Sequence, residues 1–284
     1  MLEIGADDLR FTWEDAASLF KELKTPGLSA KDVVTLNERT EGWVVGLKMA
    51  AFSLRNQKDV PGFLASFTGS HRYVMDYLME EVLRQQTKEV KEFLLQTSVL
   101  NRLTAPLCNA VTGRKDGNEM LLLLERAHLF IVLLDESRQW HRYEHLFTDL
   151  LRHQLDVAFG VEKVAELHRR ASQWYEEHDF PDDAINHAVE AKDWERTIKI
   201  IKEQYTKKLH NGEFITLFNW LQKIPEDVIH HDLDLCKTYG MVLLMVGQFD
   251  KAISVANYLE QTVERDNITM QGEIDFLRSH IAFY

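Results

Sequence analysis

The spacing of apolar and polar positions changes along this chain, and each change marks an element. Across residues 130–152, FIVLLDESRQWHRYEHLFTDLLR, Phe130, Val132 and Leu134 alternate with the period of a half-buried strand. Asp135-Glu136-Ser137 supplies turn chemistry, and Trp140 and Tyr143 lie in a second extended run. Leu146, Phe147, Leu150 and Leu151 then recur at helical spacing, which predicts a short hairpin running into a helix. Upstream, Met120–Leu124, Ala127 and Leu129 predict an apolar helix that delivers the chain into the first strand. Helix, hairpin and helix together make the back half of a winged-helix domain.

Toward the N-terminus, Thr12 reads as a helix cap, with Glu14 and Asp15 in the positive first turn. The run TEGWVVGLKMAA at 40–51 reads as a helix in which Gly42 and Gly46 permit close approach while Trp43, Leu47 and Ala50 bury a face.

After about residue 160 the pattern becomes repetitive. Phe180, Phe214 and Phe249 are separated by 34 and 35 residues. Phe214 is followed at +3 and +4 by Leu217 and Phe218, Phe249 by Ala252 and Ile253, and Trp194 by Thr197 and Ile198, while Phe180 has Ala184 and Ile185 one step later. A period near 34 residues built from helix pairs points to degenerate tetratricopeptide-like (TPR-like) repeats. The fold class is therefore mainly α: a helical subdomain over 1–86, a winged helix with a small β-hairpin over 87–158, and truncated TPR-like repeats over 160–284. Ile281–Tyr284 is apolar where a solenoid needs a polar cap, so the chain reads as an internal piece of a longer protein.

Composition narrows the class. Hydrophobic residues make up 45% and charged residues 27% of the chain, which is ordinary globular usage. Cys108 and Cys236 stand far apart, so no disulfide framework is implied. The apolar runs are too short to span a bilayer, and no leader precedes Leu9, which predicts a cytoplasmic protein with no membrane contact. With 45 acidic against 33 basic residues the formal charge is −12, the wrong sign for neutralising phosphates. The candidate recognition helix at 118–127, NEMLLLLERA, carries Glu119 and Glu125 against Arg126 and suits protein packing better than nucleic acid.

Little in the chain carries catalysis. His141-Arg142-Tyr143-Glu144-His145 satisfies H-x-x-E-H, a zinc-hydrolase signature, but that chemistry needs both histidines on one helix, and the flanks place His141 on a strand. There is no phosphate-binding loop with G-x-x-x-x-G-K-[ST] spacing and no G-x-S-x-G elbow. Gly113–Gly117 reads as a turn, and His230-His231 as part of a solvated loop. The expectation is a segment that is not an enzyme and holds no cofactor of its own.

Two stretches carry a family resemblance. The string Trp-x-Arg-Tyr-x-His-Leu-Phe at 140–147 and the run EGWVVGLKMAA at 41–51 resemble the MalT/LuxR-type large ATP-dependent transcriptional regulators, a branch of the signal-transducing (STAND) ATPases. Residues 168–198 and the turn GQFDKA at 247–252 are similar to the superhelical region of those proteins. The resemblance implies a parent with an ATP-binding core and a LuxR-type helix-turn-helix. ADP would hold it closed, while ATP and an inducer on the superhelix would open it for self-association. It implies that His145, Trp43 and Gly46 border the nucleotide site and that the neighbouring partner is the protein's own nucleotide-binding core. On the helices at 164–177 and 233–246, Trp174, Tyr175, Arg169 and Tyr239 form a basic–aromatic mixture suited to a small anionic or sugar-like effector or another protein segment. The same aromatics also fit plain core packing. A TPR-like interaction scaffold without a nucleotide switch is the alternative reading of the chain as a whole.

Overall fold

The computed structural model describes residues 10–25, 27–54, 59–67, 72–127, 129–263 and 268–281, so Leu9 and the apolar 282–284 lie outside the described residues. The chain divides into two compact units, residues 1–167 and 168–284.

The first unit begins with three helices, α1 (Trp13–Glu22), α2 (Ala30–Thr40) and α3 (Val44–Leu54). Thr12 caps α1 in a full capping box with Asp15, and Ser29 caps α2 in the same way with Asp32. Ala16, Leu36, Leu47 and Ala50 are fully buried on the facing sides of these helices. Short helices α4 (Val60–Ser66) and α5 (Arg72–Tyr77) follow, and α5 runs on into a π-helical stretch over Leu78–Leu83. The expected helix at 40–51 starts later than its pattern suggests. Glu41, Gly42 and Trp43 form the turn before α3, because Glu41 caps α2 in the left-handed region at φ 49° and Gly42 follows at 71°.

The rest of the unit is helices α6 (Lys88–Thr97), α7 (Ala105–Thr112) and α8 (Gly117–Arg126), strands β1 (Ile131–Leu133) and β2 (His141–Tyr143), and the start of α9 (His145–Glu177). The strands pair antiparallel with Ile131 opposite Tyr143, Val132 opposite Arg142 and Leu133 opposite His141. A third contact ties Leu103 to His141 through two backbone hydrogen bonds of 2.7 and 2.9 Å. Asp135 accepts the N–H groups of Gln139 and Trp140, which closes the wing's turn. Leu146, Phe147, Leu150 and Leu151 are buried as their spacing requires. Tyr143 is buried with its hydroxyl 2.7 Å from that of Thr97, fastening β2 onto α6. Two positions differ from the alternation: Leu134 is exposed at the wing's edge, and Phe130 leaves the strand with a φ of 52°. Helix α9 is interrupted at Gly160, whose backbone is not helical.

The second unit is helical throughout its described residues. Four of its helices begin alike: α10 (Pro181–Glu190), α11 (Trp194–His210), α12 (Phe214–Leu221) and α15 (Phe249–Thr262). Two residues before each first helical residue stands a left-handed one, namely Asp179, Lys192, Gly212 and Gly247. Counting from the first helical residue, positions +3, +6 and +7 are buried in all four helices. Position +4 varies, since Ile185 is buried while Ile253 is exposed. The repeated feature is thus the turn and the register it imposes on the helix that follows. Helices α13 (Glu226–His230), α14 (Leu233–Met245) and α16 (Ile268–Ile281) complete the unit, and Asp232 between the first two caps α14.

Trp174 and Tyr175, expected on a binding face, belong to this unit's core. Tyr175 is fully buried, stacking on His187 at 5.4 Å, and Trp174 is 9% exposed with its ring on His178 at 3.9 Å. Their apolar area is consumed by packing, because helical spacing alone does not separate a core stripe from a ligand stripe. Tyr175→Ala is expected to lower stability by about 3–4 kcal/mol, read by urea unfolding. A loss below about 1 kcal/mol would contradict this placement.

Candidate functional site

The turn at 41–43 gathers a connected set of charged groups. Strand β2 has period two, so His141 and Tyr143 face the core while Arg142 and Glu144 emerge on the other side. His145, the next residue, opens α9. The Glu41 carboxylate lies opposite them, only 10% exposed. It accepts a forked pair of hydrogen bonds from Arg142, with Nη1 on Oε1 at 2.8 Å and Nη2 on Oε2 at 2.6 Å. The backbone N–H of His145 donates to Oε1 at 3.0 Å, and the ring Nδ1 of His145 lies 3.1 Å from the same oxygen. Arg10 closes the set, donating to the Glu41 backbone carbonyl at 2.9 Å and to Glu144 at 2.7 Å. Phe11 N–H on the Gly42 carbonyl, at 2.9 Å, holds the Arg10 segment against the turn.

Burial alone would raise the Glu41 carboxyl. The Arg142 hydrogen bonds, the His145 N–H and the charge of Arg142 outweigh it and hold the group at about 2. Glu144 moves the other way: burial pushes it up against the opposing charge of Arg10. The two carboxylates are therefore shifted in opposite directions.

An aromatic layer flanks the charges. Trp43 meets Phe130 edge-to-face at 5.2 Å and Tyr77 at 5.9 Å, and Phe130 continues onto Phe147 at 5.2 Å. A bulky residue at positive φ is uncommon, as is a π-helical turn, and both mark sites held by their surroundings. Here Phe130, left-handed Glu41 and the π-helical Leu78 border one crease between the helical subdomain and the wing.

His145 and Trp43 border this crease, and Gly46 packs against Trp43 and Leu146 behind it. Gly46 is required by close approach: a Cβ there would lie 2.8 Å from Trp43 Cε3 and 3.4 Å from Leu146 Cδ1. Trp43 is engaged by its aromatic neighbours, whereas the His145 side chain is 67% exposed and presents a polar edge to solvent. His141 stands apart, buried on β2 with its Nδ1 lacking a hydrogen-bond partner and its pKa lowered by burial. The H-x-x-E-H match therefore spans a strand and a helix start, with its glutamate bound to Arg10, and does not form a two-histidine helix. Tyr239 is half-buried on α14 and Arg169 exposed on α9. Sequence reasoning missed Glu41, Arg10 and Arg142 as a set. Their only signal was charge beside apolar runs, in the Glu-Gly-Trp turn and the alternation around Tyr143.

The Glu41 pairing is expected to make stability depend on acidity. Because the folded carboxyl lies below its ordinary value of 4.5, its contribution is complete above that value and is lost as pH falls toward about 2. Roughly 2 kcal/mol is at stake once the partial exposure of its partners is discounted. Glu41→Gln should flatten the decline in melting temperature between pH 5 and pH 2, roughly the window over which such a carboxylate protonates. An unchanged slope would show that the carboxylate is not held as described.

Comparison with known proteins places these elements. Residues 79–162 match the MalT winged helix domain family. The chain is 30% identical over 289 residues to the serine/threonine-protein kinase PknK of Mycobacterium tuberculosis, covering 98% of this chain and 26% of the kinase. It is 29% identical over 288 residues to the HTH-type transcriptional regulator MalT of Klebsiella pneumoniae, covering 99% of this chain and 32% of that regulator. Against MalT of Vibrio cholerae the identity is 26% over 288 residues, with the same coverage. The chain thus spans about a third or less of the relatives it matches.

Proposed function

From a chain that carries a MalT-type winged-helix domain and is MalT-like over almost its whole length, we propose the regulatory segment of an ATP-dependent transcriptional regulator, in which the crease at Glu41 couples a nucleotide switch to inducer sensing and self-association. The observation that carries this reading is the Glu41 carboxylate itself. It ties the turn before α3 to β2 and α9 across about 100 residues of sequence. A joint held by one buried anion and bordered by strained backbone is the kind of element that a switch between a closed and a released arrangement would act on.

ATP or ADP is the cofactor this reading implies, supplied by the parent's nucleotide-binding core. The residues present fit the edge of such a site. His145 offers a largely exposed ring, and Trp43 and Gly46 form the packed wall behind it, while Arg10 and Arg142 are already paired with Glu144 and Glu41. What the nucleotide supplies there is anionic charge. Glu41 orients the His145 ring through Nδ1 and keeps the guanidinium of Arg142 in the plane of its own carboxylate. By itself the segment has no phosphate-binding loop, which supports a non-enzymatic role.

In the whole protein, Glu41→Gln and Arg142→Ala are expected to raise output without inducer by about tenfold, the scale of a typical coupling energy. A reporter under the regulated promoter reads this. Unchanged uninduced output with a normal inducer response would overturn the latch. Similarity to PknK favours a second form of the same reading, in which the segment regulates a kinase. The latch then acts identically, and autophosphorylation replaces the reporter.

The winged helix is proposed to contact protein. The outward positions of α8 include Glu119, Leu122, Leu123 and Arg126, with Leu122 and Leu123 at 40% and 42% exposure. One cation on that face releases few counterions. The chain is expected to give no mobility shift with duplex DNA at 50 mM salt, a concentration at which a phosphate-binding face would be strong. A shift that weakens steeply with salt and vanishes in Arg126→Glu would overturn the assignment.

A further inference from the structure

Helix α8 leaves one of its faces uncovered. Met120, Leu121 and Leu124 are buried, while Glu119, Leu122, Leu123, Arg126 and Ala127 are exposed. These five residues line a shallow depression of about 550 Å³ along the helix, with the two leucines at its centre.

The order of charges on this face selects a partner. Glu119 and Arg126 are seven residues apart, about two helical turns, so they lie on one side of α8 with Leu122 and Leu123 between them. Counted inward from either end, the face presents a charge, a gap of two residues and a leucine. The charges at the two ends are opposite. Such a face is complementary to itself when turned end over end. A two-fold axis midway between Leu122 and Leu123 lays two copies of α8 antiparallel, sets each Glu119 against the other copy's Arg126, and encloses four leucines between the ion pairs. Parallel pairing instead sets Glu119 against Glu119 and Arg126 against Arg126, so the charges choose the antiparallel arrangement. The helix macrodipoles favour the same choice.

Both end charges are available for such a contact. Nearby, Glu125 is held by Arg138 at 3.3 Å and Asp116 by Arg114 at 2.5 Å, whereas neither Glu119 nor Arg126 is in an ion pair among the described residues. Within one helix their separation exceeds the three- and four-residue spacings at which helical pairs form. A partner of a single sign satisfies one end of the face and repels the other. A second copy of this chain satisfies both.

We propose that α8 is a self-pairing helix, through which two copies of this chain associate about a two-fold axis with Glu119 of each opposite Arg126 of the other. This rests on the reading of α8 as a protein-facing helix, and it requires neither the Glu41 latch nor a nucleotide or inducer. A contact confined to one helix pair is smaller than a standard interface, so the dimer is weak, with a Kd on the order of 100 μM.

Sedimentation equilibrium of the 284-residue chain, at concentrations spanning that value, tests the proposal. Arg126→Glu gives each helix two anions and Glu119→Arg gives each two cations, so either variant alone should dimerise at least about fivefold more weakly. An equimolar mixture of the two should recover the original association, because opposite charges again meet at both ends of an antiparallel pair. Leu123→Ser, at an exposed position, should weaken association without lowering the melting temperature, and it serves if a charge variant folds poorly. A chain that stays monomeric throughout overturns the proposal. A dimer indifferent to all three variants overturns it by placing the contact elsewhere, and charge variants that do not recover on mixing overturn the two-fold arrangement. Binding of the monomer to the parent's separately expressed nucleotide-binding core, abolished by Leu123→Ser, also overturns it and assigns the face to that core. A salt-sensitive shift with duplex DNA overturns the protein-facing reading of α8 as well, whereas a monomer without such a shift overturns the self-pairing alone.

Discussion

A carboxylate buried between two parts of a chain must be matched by cations, and the match at Glu41 joins the turn before α3 to β2 and the start of α9. The forked Arg142 contact needs the plane of the guanidinium to coincide with that of the carboxylate. That condition constrains the strand β2 relative to the turn before α3 in addition to apolar packing. Removing one partner leaves the other buried and unpaired, which is costly. Arg10 and Glu144 complete the neutralisation from outside, two cations against two anions. His145 adds a ring that is tethered on one side and wet on the other.

The aromatic layer gives this joint its second property. Trp43, Phe130 and Phe147 pack in sequence, and Phe130 does so at a backbone angle that costs energy wherever it is not enforced. The π-helical turn at Leu78–Leu83 is another local cost placed at the same crease. Such costs persist only where the surrounding packing and ion pairs over-determine the backbone. Backbone strain and ion pairing thus lie side by side along one seam of the first unit.

Much of this was legible in the sequence, and the rest was not for identifiable reasons. The hairpin, the helix carrying Leu146 and Leu150, and the Thr12 cap follow from local period and capping chemistry. The start of α3 was misplaced because Glu41 is left-handed, a state that residue type does not announce. The Glu41–Arg142 pair joins positions 101 residues apart, and no local pattern reports a partner at that distance. His145, Trp43 and Gly46 were named from resemblance; the first two border one crease and Gly46 packs behind it, while the central residue there is a different one. Trp174 and Tyr175 were ambiguous in principle, since a ligand stripe and a core stripe share one spacing.

The recurring turn of the second unit also bears on how such an array can change length. Each of the four helices that begin with it offers its neighbour the same three buried positions after the same left-handed residue. A whole turn and helix can therefore be inserted or removed while the flanking helices keep their facing sets, because the turn resets the phase each time. An insertion of one or two residues within a helix has no such protection and rotates everything after it out of phase until the next turn. Copy-number change by whole helices is thus the tolerated route for this architecture, and frame-preserving small insertions should be confined to the turns.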